Sequence, residues 1–243
     1  MGAASVGRVG DRAASAGRRR EVIAAKDLTL SFGANEVIRA ANFAICERDF
    51  VCVVGANGSG KSTLIKAILG LVKPSAGKVV FSGGVRREAI GFLPQDMKVE
   101  MDFPATVREI VLSGALGRLR MRAFYREEDK RRAEEAMARL SIAELGDMKF
   151  TRLSGGQRQK VLLARALVAT SKVLILDEPS NNLDYKSRRE LYDTLTEFNR
   201  AGMTIIMITH DLDAEDLIGN RVISIREAEV ECLTTKTFLG RFK

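Results

Sequence analysis

Tryptophan is absent from the 243 residues, histidine occurs once, cysteine three times and proline four times. Cys46, Cys52 and Cys232 show no CxxC or Cys/His spacing, and with His210 the sole histidine there is no basis for a zinc site built from those types. A mini-protein held by disulfides is excluded by length alone, because this much chain buries a core without staples. Cys46 and Cys52 stand in apolar segments and read as buried thiols of a reducing compartment. No uninterrupted apolar run approaches the roughly 18 residues of a membrane-spanning helix. Nor does the N-terminal stretch hold the apolar segment of about 7–15 residues that a secretory signal needs. Aromatics are only 6%, yet 46% hydrophobic and 29% charged residues are those of a globular chain, not a disordered or fibrous one.

Acid is the scarcer charge: 39 Lys and Arg against 31 Asp and Glu leave a formal +8, which suits an anionic partner. Half of that excess lies in residues 1–20, where Arg8, Arg12, Arg18, Arg19 and Arg20 face a single acid, Asp11. This Ala, Gly, Ser and Arg stretch has no apolar periodicity and is expected to be a mobile tail; an organelle transit peptide shares its composition. Residues 21–243 are expected to form one domain.

Along that domain strands and helices alternate. Leu28–Phe32 and Val37–Ile45 read as strands, and Phe50–Val54 is a continuous apolar run of the kind found in a buried strand. It leads straight into Gly55-Ala56-Asn57-Gly58-Ser59-Gly60-Lys61-Ser62-Thr63, followed by a helical pattern of Leu64, Ile65, Ile68 and Leu69. Strand, G-x-x-x-x-G-K-[ST] and helix in this order form a phosphate cradle. Gly55, Gly58 and Gly60 let the backbone N–H groups close around a polyphosphate, and the helix adds its positive end. Lys61 can reach the terminal phosphates and the Ser62 hydroxyl can ligate Mg²⁺.

Val173–Leu176 is a second buried strand with Asp177 and Glu178 at its carboxyl end, where ligands bind in open α/β sheets. Asp177 is placed for Mg²⁺ and Glu178 for the attacking water. Thr204–Thr209 reads as a third buried strand ending at His210, which could reach a γ-phosphate or position water. Leu153-Ser154-Gly155-Gly156-Gln157 opens a helix carrying Val161, Leu162, Ala164, Leu167 and Val168. Ser154 is a natural N-cap, so this is a second helix start shaped for an anion, with only one phosphate-reaching lysine in the chain. The economical reading is that it serves a nucleotide held by another copy. Val222–Ile225 and Val230–Leu233 read as edge strands, and the 33 residues after His210 leave no room for a regulatory domain of ordinary size.

The Gly55–Thr63 loop, Phe92-Leu-Pro-Gln95, Leu153-Ser-Gly-Gly-Gln157, Leu176-Asp-Glu-Pro179, Ser180-Asn-Asn-Leu-Asp184 and Thr209-His210 together resemble, in order, the motifs of ABC-type ATPase domains, over residues 22–240. The resemblance implies an α/β P-loop NTPase with a RecA-like core, an antiparallel β subdomain and a helical subdomain inserted at about 96–165. It also implies ATP and Mg²⁺ as cofactors and a head-to-tail homodimer in the ATP-bound state. Phe32 would stack on adenine, and Asn57, Ser59 and Thr63 would share the nucleotide cradle. Gln95 would sense the γ-phosphate and join Ser62 and Asp177 at Mg²⁺. Glu178 would be the general base, with His210 on the γ-phosphate. Ser154, Gly155, Gly156 and Gln157 would act on the ATP of the opposite subunit, with Asp184 in the loop crossing the interface. Phe32 stands where many members have Tyr, which keeps the stacking face.

Met101-Asp-Phe-Pro-Ala-Thr-Val-Arg-Glu-Ile-Val-Leu-Ser-Gly114, Ala166–Lys172 and Leu191–Asn199 resemble the metal-uptake branch, whose members drive zinc, manganese or iron-chelate importers. The partners so implied are polytopic permease subunits and an extracytoplasmic substrate-binding protein, with the chain peripheral on the cytoplasmic face of the inner membrane and no nucleic acid expected. Ser180–Asp184 is not the commonest version of its loop in that branch, which leaves the ion open. Alternatives are a soluble ABC ATPase of a cytosolic assembly, or a subunit of an importer or exporter of another solute. The basic run of Arg118, Arg120, Arg122, Arg126, Lys130, Arg131 and Arg132 reads as a solvated helix face with pairs Glu127–Arg131 and Glu128–Arg132. Its alternative role is to face anionic lipid.

Overall fold

The computed structural model describes residues 19–33, 35–95, 104–119, 124–170, 172–181, 183–210 and 217–242. Of the tail, residues 1–18 lie outside these; Arg19 and Arg20 are already tied down, Arg19 by an ion pair to the buried Asp49 at 2.8 Å. Two sheets organise the rest. The first is antiparallel, with β1 (Glu21–Phe32) between β2 (Asn35–Cys46) and β4 (Ala76–Phe81). The second has six strands in the order β5 (Ile90–Leu93), β6 (Val173–Asp177), β7 (Thr204–Ile208), β3 (Phe50–Gly55), β8 (Arg221–Arg226) and β9 (Glu229–Thr234). It is parallel from β5 through β8, and β9 closes it antiparallel. Val222–Ile225 is therefore not an edge strand as its sequence suggests: β8 pairs on both sides, and of the two strands only β9 stands at an edge.

The central strands are near-continuous apolar runs because both faces are covered; the polar exceptions, Thr204 and Asp177, stand at strand ends. Phe50, Cys52 and Val54 of β3 enter one core, while Val51 and Val53 enter the other. Leu174 and Leu176 of β6, with Ile205 and Met207 of β7, join the first core; Val173, Ile175, Ile206 and Ile208 join the second. The second core is roofed by the antiparallel sheet and by α1 (Lys61–Ile68), through Leu64, Ile65, Ala67 and Ile68. The first is covered by helices, of which α2 (Val107–Leu112), α3 (Leu116–Leu119), α4 (Glu127–Arg139) and α5 (Gly155–Ala169) all come between β5 and β6 in the chain. After β6 come α6 (Tyr185–Arg200) and, beyond β9, α7 (Thr235–Leu239).

Helix starts follow their capping residues. Thr106 with Glu109 and Ser154 with Gln157 form capping boxes that open α2 and α5, and Asp184 caps α6 by accepting from Ser187 N–H at 2.9 Å. On α4 the ion pairs differ from those the spacing suggests. Glu128–Arg132 forms at 2.7 Å, but Glu127 pairs with Lys130 at 2.7 Å and Arg131 turns to Glu135 at 3.8 Å. Both alternatives are i,i+3 or i,i+4 neighbours of nearly equal energy, so spacing alone does not choose between them. Arg120 and Arg122 lie outside the described residues, as do residues 101–103 of the metal-branch segment.

Candidate functional site

The loop after β3 is built to turn a strand into a helix around an anion. Gly60, immediately before α1, has φ +103°, and a Cβ there would stand 2.9 Å from the Val37 carbonyl oxygen. Only glycine lets β2 press so closely on the loop. Lys61 is buried, and its Nζ donates to the Gly55 and Ala56 carbonyls, both at 2.9 Å. Burial holds its pKa below the ordinary lysine value, with Glu178 and Asp177 acting in the opposite direction. Ser59 Oγ is buried without a hydrogen-bond partner. An orphaned hydroxyl and an ammonium resting on its own loop's carbonyls fit a site that phosphate oxygens complete.

The parallel register sets β7 beside β3 and β6 beyond β7, so the residues following all three strands meet at one end of the sheet. The Ser62 hydroxyl lies 3.5 Å from Asp177 Oδ1. Asp177 is buried; desolvation raises its pKa above the usual aspartate value, opposed by the Ser62 hydrogen bond. A hydroxyl and a carboxylate oxygen so placed fit a hard cation such as Mg²⁺. Glu178 carries three partners: Gln95 Nε2 donates to Oε2 at 2.6 Å, Asn181 Nδ2 donates to Oε2 at 2.5 Å, and His210 Nε2 contacts Oε1. A cleft of about 550 Å³ is lined by Asn57, Gly58, Gly60, Lys61, Ser62, Thr63, Gln95, Glu178, Asn181 and His210.

The geometry thus gathers Gly55–Thr63, Gln95, Asp177, Glu178 and His210. Phe32 is not in the cleft lining; it stands exposed at the β1–β2 hairpin, on the sheet whose Val37 touches Gly60. Ser154, Gly156 and Gln157 line a different cavity, about 480 Å³, between α5 and α6, while Gly155 is open to solvent. Asp184 remains at its own helix cap. One residue of the cleft escaped the sequence reading, Asn181, visible there only as part of an uncommon loop.

A phosphate-binding loop on a parallel sheet, facing an Asp-Glu pair at the end of β6, defines a nucleotide-hydrolysing P-loop domain. Residues 38–181 match the ABC transporter family, and the chain belongs to that family as an ATP-binding, ATP-hydrolysing member. It is 41% identical over 196 residues to a "Probable metal transport system ATP-binding protein" of Chlamydia muridarum, covering 80% of this chain and 83% of that one. It is 33% identical over 215 residues to the zinc uptake system ATP-binding protein ZurA of Listeria monocytogenes, covering 86% and 84%. Among solved structures, cbiO1 of Clostridium perfringens, part of the ABC transporter complex cbiONQ, superposes with a TM-score of 0.79 at 30% identity, covering 92% of each chain.

Proposed function

We propose that this chain energises an ABC importer for zinc, manganese or a related metal ion, working with Mg²⁺-ATP as a head-to-tail dimer beneath separate membrane subunits fed by an extracytoplasmic binding protein. The observation that carries the ATPase half is the convergence of Lys61, Ser62, Asp177, Glu178, Gln95 and His210 on one cleft. The metal half rests on relatives named for metal and zinc transport.

In this reading the loop amides and Lys61 cradle the β- and γ-phosphates, Lys61 exchanging its two carbonyl partners for phosphate oxygens. Ser62, Asp177 and Gln95 hold Mg²⁺, which supplies charge neutralisation on the transferring phosphoryl group. Glu178 accepts the proton of the attacking water, His210 contacts the γ-phosphate, and Phe32 stacks on adenine. Because Ser154, Gly155, Gly156 and Gln157 open away from that cleft, the second copy's helix start completes each site, with Asp184 at the crossing loop. Among the described residues no helix is long and apolar enough to cross a membrane, so the membrane passage belongs to partner subunits in this scheme. A groove of about 320 Å³ lined by Phe92, Pro94 and the exposed Leu116 supports a docking place for such a subunit.

The test is affinity capture of tagged Glu178→Gln protein from detergent-solubilised cells of its source, read by mass spectrometry. The expected companions are a polytopic membrane protein and a metal-binding lipoprotein or periplasmic protein. Recovery of ribosomal or cytosolic assembly proteins alone would instead favour the soluble ATPase.

A further inference from the structure

Glu178 has more partners than a working base can keep. A carboxylate that takes a proton from water needs one oxygen anchored and the other open, whereas here Oε2 is held by Gln95 and Asn181 and Oε1 by His210. On the reading above, Gln95 and His210 have tasks at the nucleotide and leave Glu178 when ATP arrives. Asn181 is then the donor that stays. Its backbone is fixed by groups that need no nucleotide: its N–H donates to the Glu178 carbonyl at 3.2 Å, closing a turn in which Glu178 holds φ +51°. The same loop is tied on both sides, since Gln159 Nε2 on α5 donates to the Pro179 carbonyl at 2.8 Å and the Tyr192 hydroxyl on α6 donates to Ser180 Oγ at 3.2 Å.

We infer that Asn181 is a positioning residue for the base: its Nδ2 anchors Glu178 Oε2 so that Oε1 is presented to the attacking water. Because the loop hangs on Gln159, the orientation of the base in one copy depends on the helix that begins with its own Ser154. A turn on α5 produced by engagement of Ser154 with the opposite ATP therefore reaches Glu178 through Gln159, Pro179 and Asn181. This inference rests on the proposed role of Glu178.

Steady-state ATPase kinetics of the purified full chain test it, using the parent, Asn181→Ala, Asn181→Asp, Glu178→Gln and the Asn181→Ala/Glu178→Gln double variant. Asn181→Ala is expected to lower kcat about tenfold, the worth of one hydrogen bond to a charged group, with the KM for ATP unchanged within about twofold. Asn181→Asp keeps the shape but replaces the donor with a like charge, so its kcat falls further, by about a hundredfold. In the Glu178→Gln background, Asn181→Ala changes the residual rate by less than about twofold, because the group it positions is gone. The inference is overturned by any of three results: Ala and Asp variants that both turn over near the parent rate, a loss seen in KM instead of kcat, or an undiminished tenfold loss in the Glu178→Gln background. If Glu178→Gln itself ran at the parent rate, the role of Glu178 would fall and this inference with it. An inactive Glu178→Gln beside unaffected Asn181 variants would remove the inference alone.

Discussion

Asp177 shows what a functional carboxylate costs the fold that holds it. It is almost wholly buried at the end of β6, its pKa is raised first by desolvation, and its side-chain hydrogen bond in the site, among the described residues, is the long contact with Ser62. A raised carboxylate pKa means that the folded protein prefers the protonated form, so the group's contribution to stability is present at low pH and is lost as pH rises through the folded-state value. At neutral pH the charge is therefore a liability until a cation arrives. Asp177→Asn removes the charge at nearly constant shape. Its nucleotide-free melting temperature is expected to rise by the ~2–4 °C that about 1 kcal/mol makes in a chain of this size. In the same calorimetric series, added Mg²⁺-ATP should raise the melting temperature of the parent and much less that of the variant. A nucleotide-free variant that melts below the parent would show that the charge is compensated by groups other than Ser62.

At the scale of elements, close backbone approach divides glycines that the fold needs from glycines that the chemistry needs. Gly114 lies in the turn between α2 and α3, where a Cβ would stand 2.1 Å from the Arg165 carbonyl oxygen of α5. Gly114→Ala must push that turn off α5, and the overpacking is expected to cost about 1–3 kcal/mol, seen as a midpoint shift in urea titration. Gly155, by contrast, has open space where a Cβ would go and no positive φ. Gly155→Ala should leave stability within about 0.5 kcal/mol and yet slow hydrolysis, because in the proposed dimer the added methyl would stand where the opposite copy's phosphates approach. Equal midpoints for the two variants would remove this distinction. The same contrast explains which elements the sequence made legible. Strands β3, β6 and β7 announce themselves by continuous apolar runs, since both their faces are buried. Strand β4 begins Ala-Gly-Lys and is half exposed, and β5 is four residues with a glycine inside, so neither carries a period that marks it. The phosphate loop, Asp177 and the Ser154 cap were readable because each needs particular residue types at fixed spacing. Asn181 was not, because its reach to Glu178 depends on a turn with a left-handed glutamate that no propensity signals.

In the whole molecule the nucleotide cleft and the Ser154 helix start lie apart. The cleft at Lys61 and Glu178 and the helix start at Ser154 belong to separate cavities of one chain, and in the proposed dimer each chain lends its helix start to the other. Two chains of formal charge +8 repel one another, and in the proposed dimer an anionic nucleotide at each interface would both relieve that repulsion and supply the ligand for the opposite helix N-terminus. Association should therefore follow nucleotide and dissolve with its hydrolysis. Loss of the general base leaves ground-state binding intact, so Glu178→Gln should accumulate the closed state. Light scattering during size-exclusion chromatography is expected to give the 26.7 kDa monomer without nucleotide and twice that mass with ATP. The parent should show the doubled mass only transiently, since each turnover removes the bridging γ-phosphate. Ser154→Ala in the Glu178→Gln background takes away the cap at about 1 kcal/mol of helix stability together with the hydroxyl that the proposed dimer sets against the opposite phosphates, so it should shift the dimer midpoint to higher protein concentration while leaving ATP binding by the monomer unchanged. A Glu178→Gln protein that binds ATP and remains monomeric at every concentration would break the link between the two cavities, and Ser154 would then be a helix cap and nothing more.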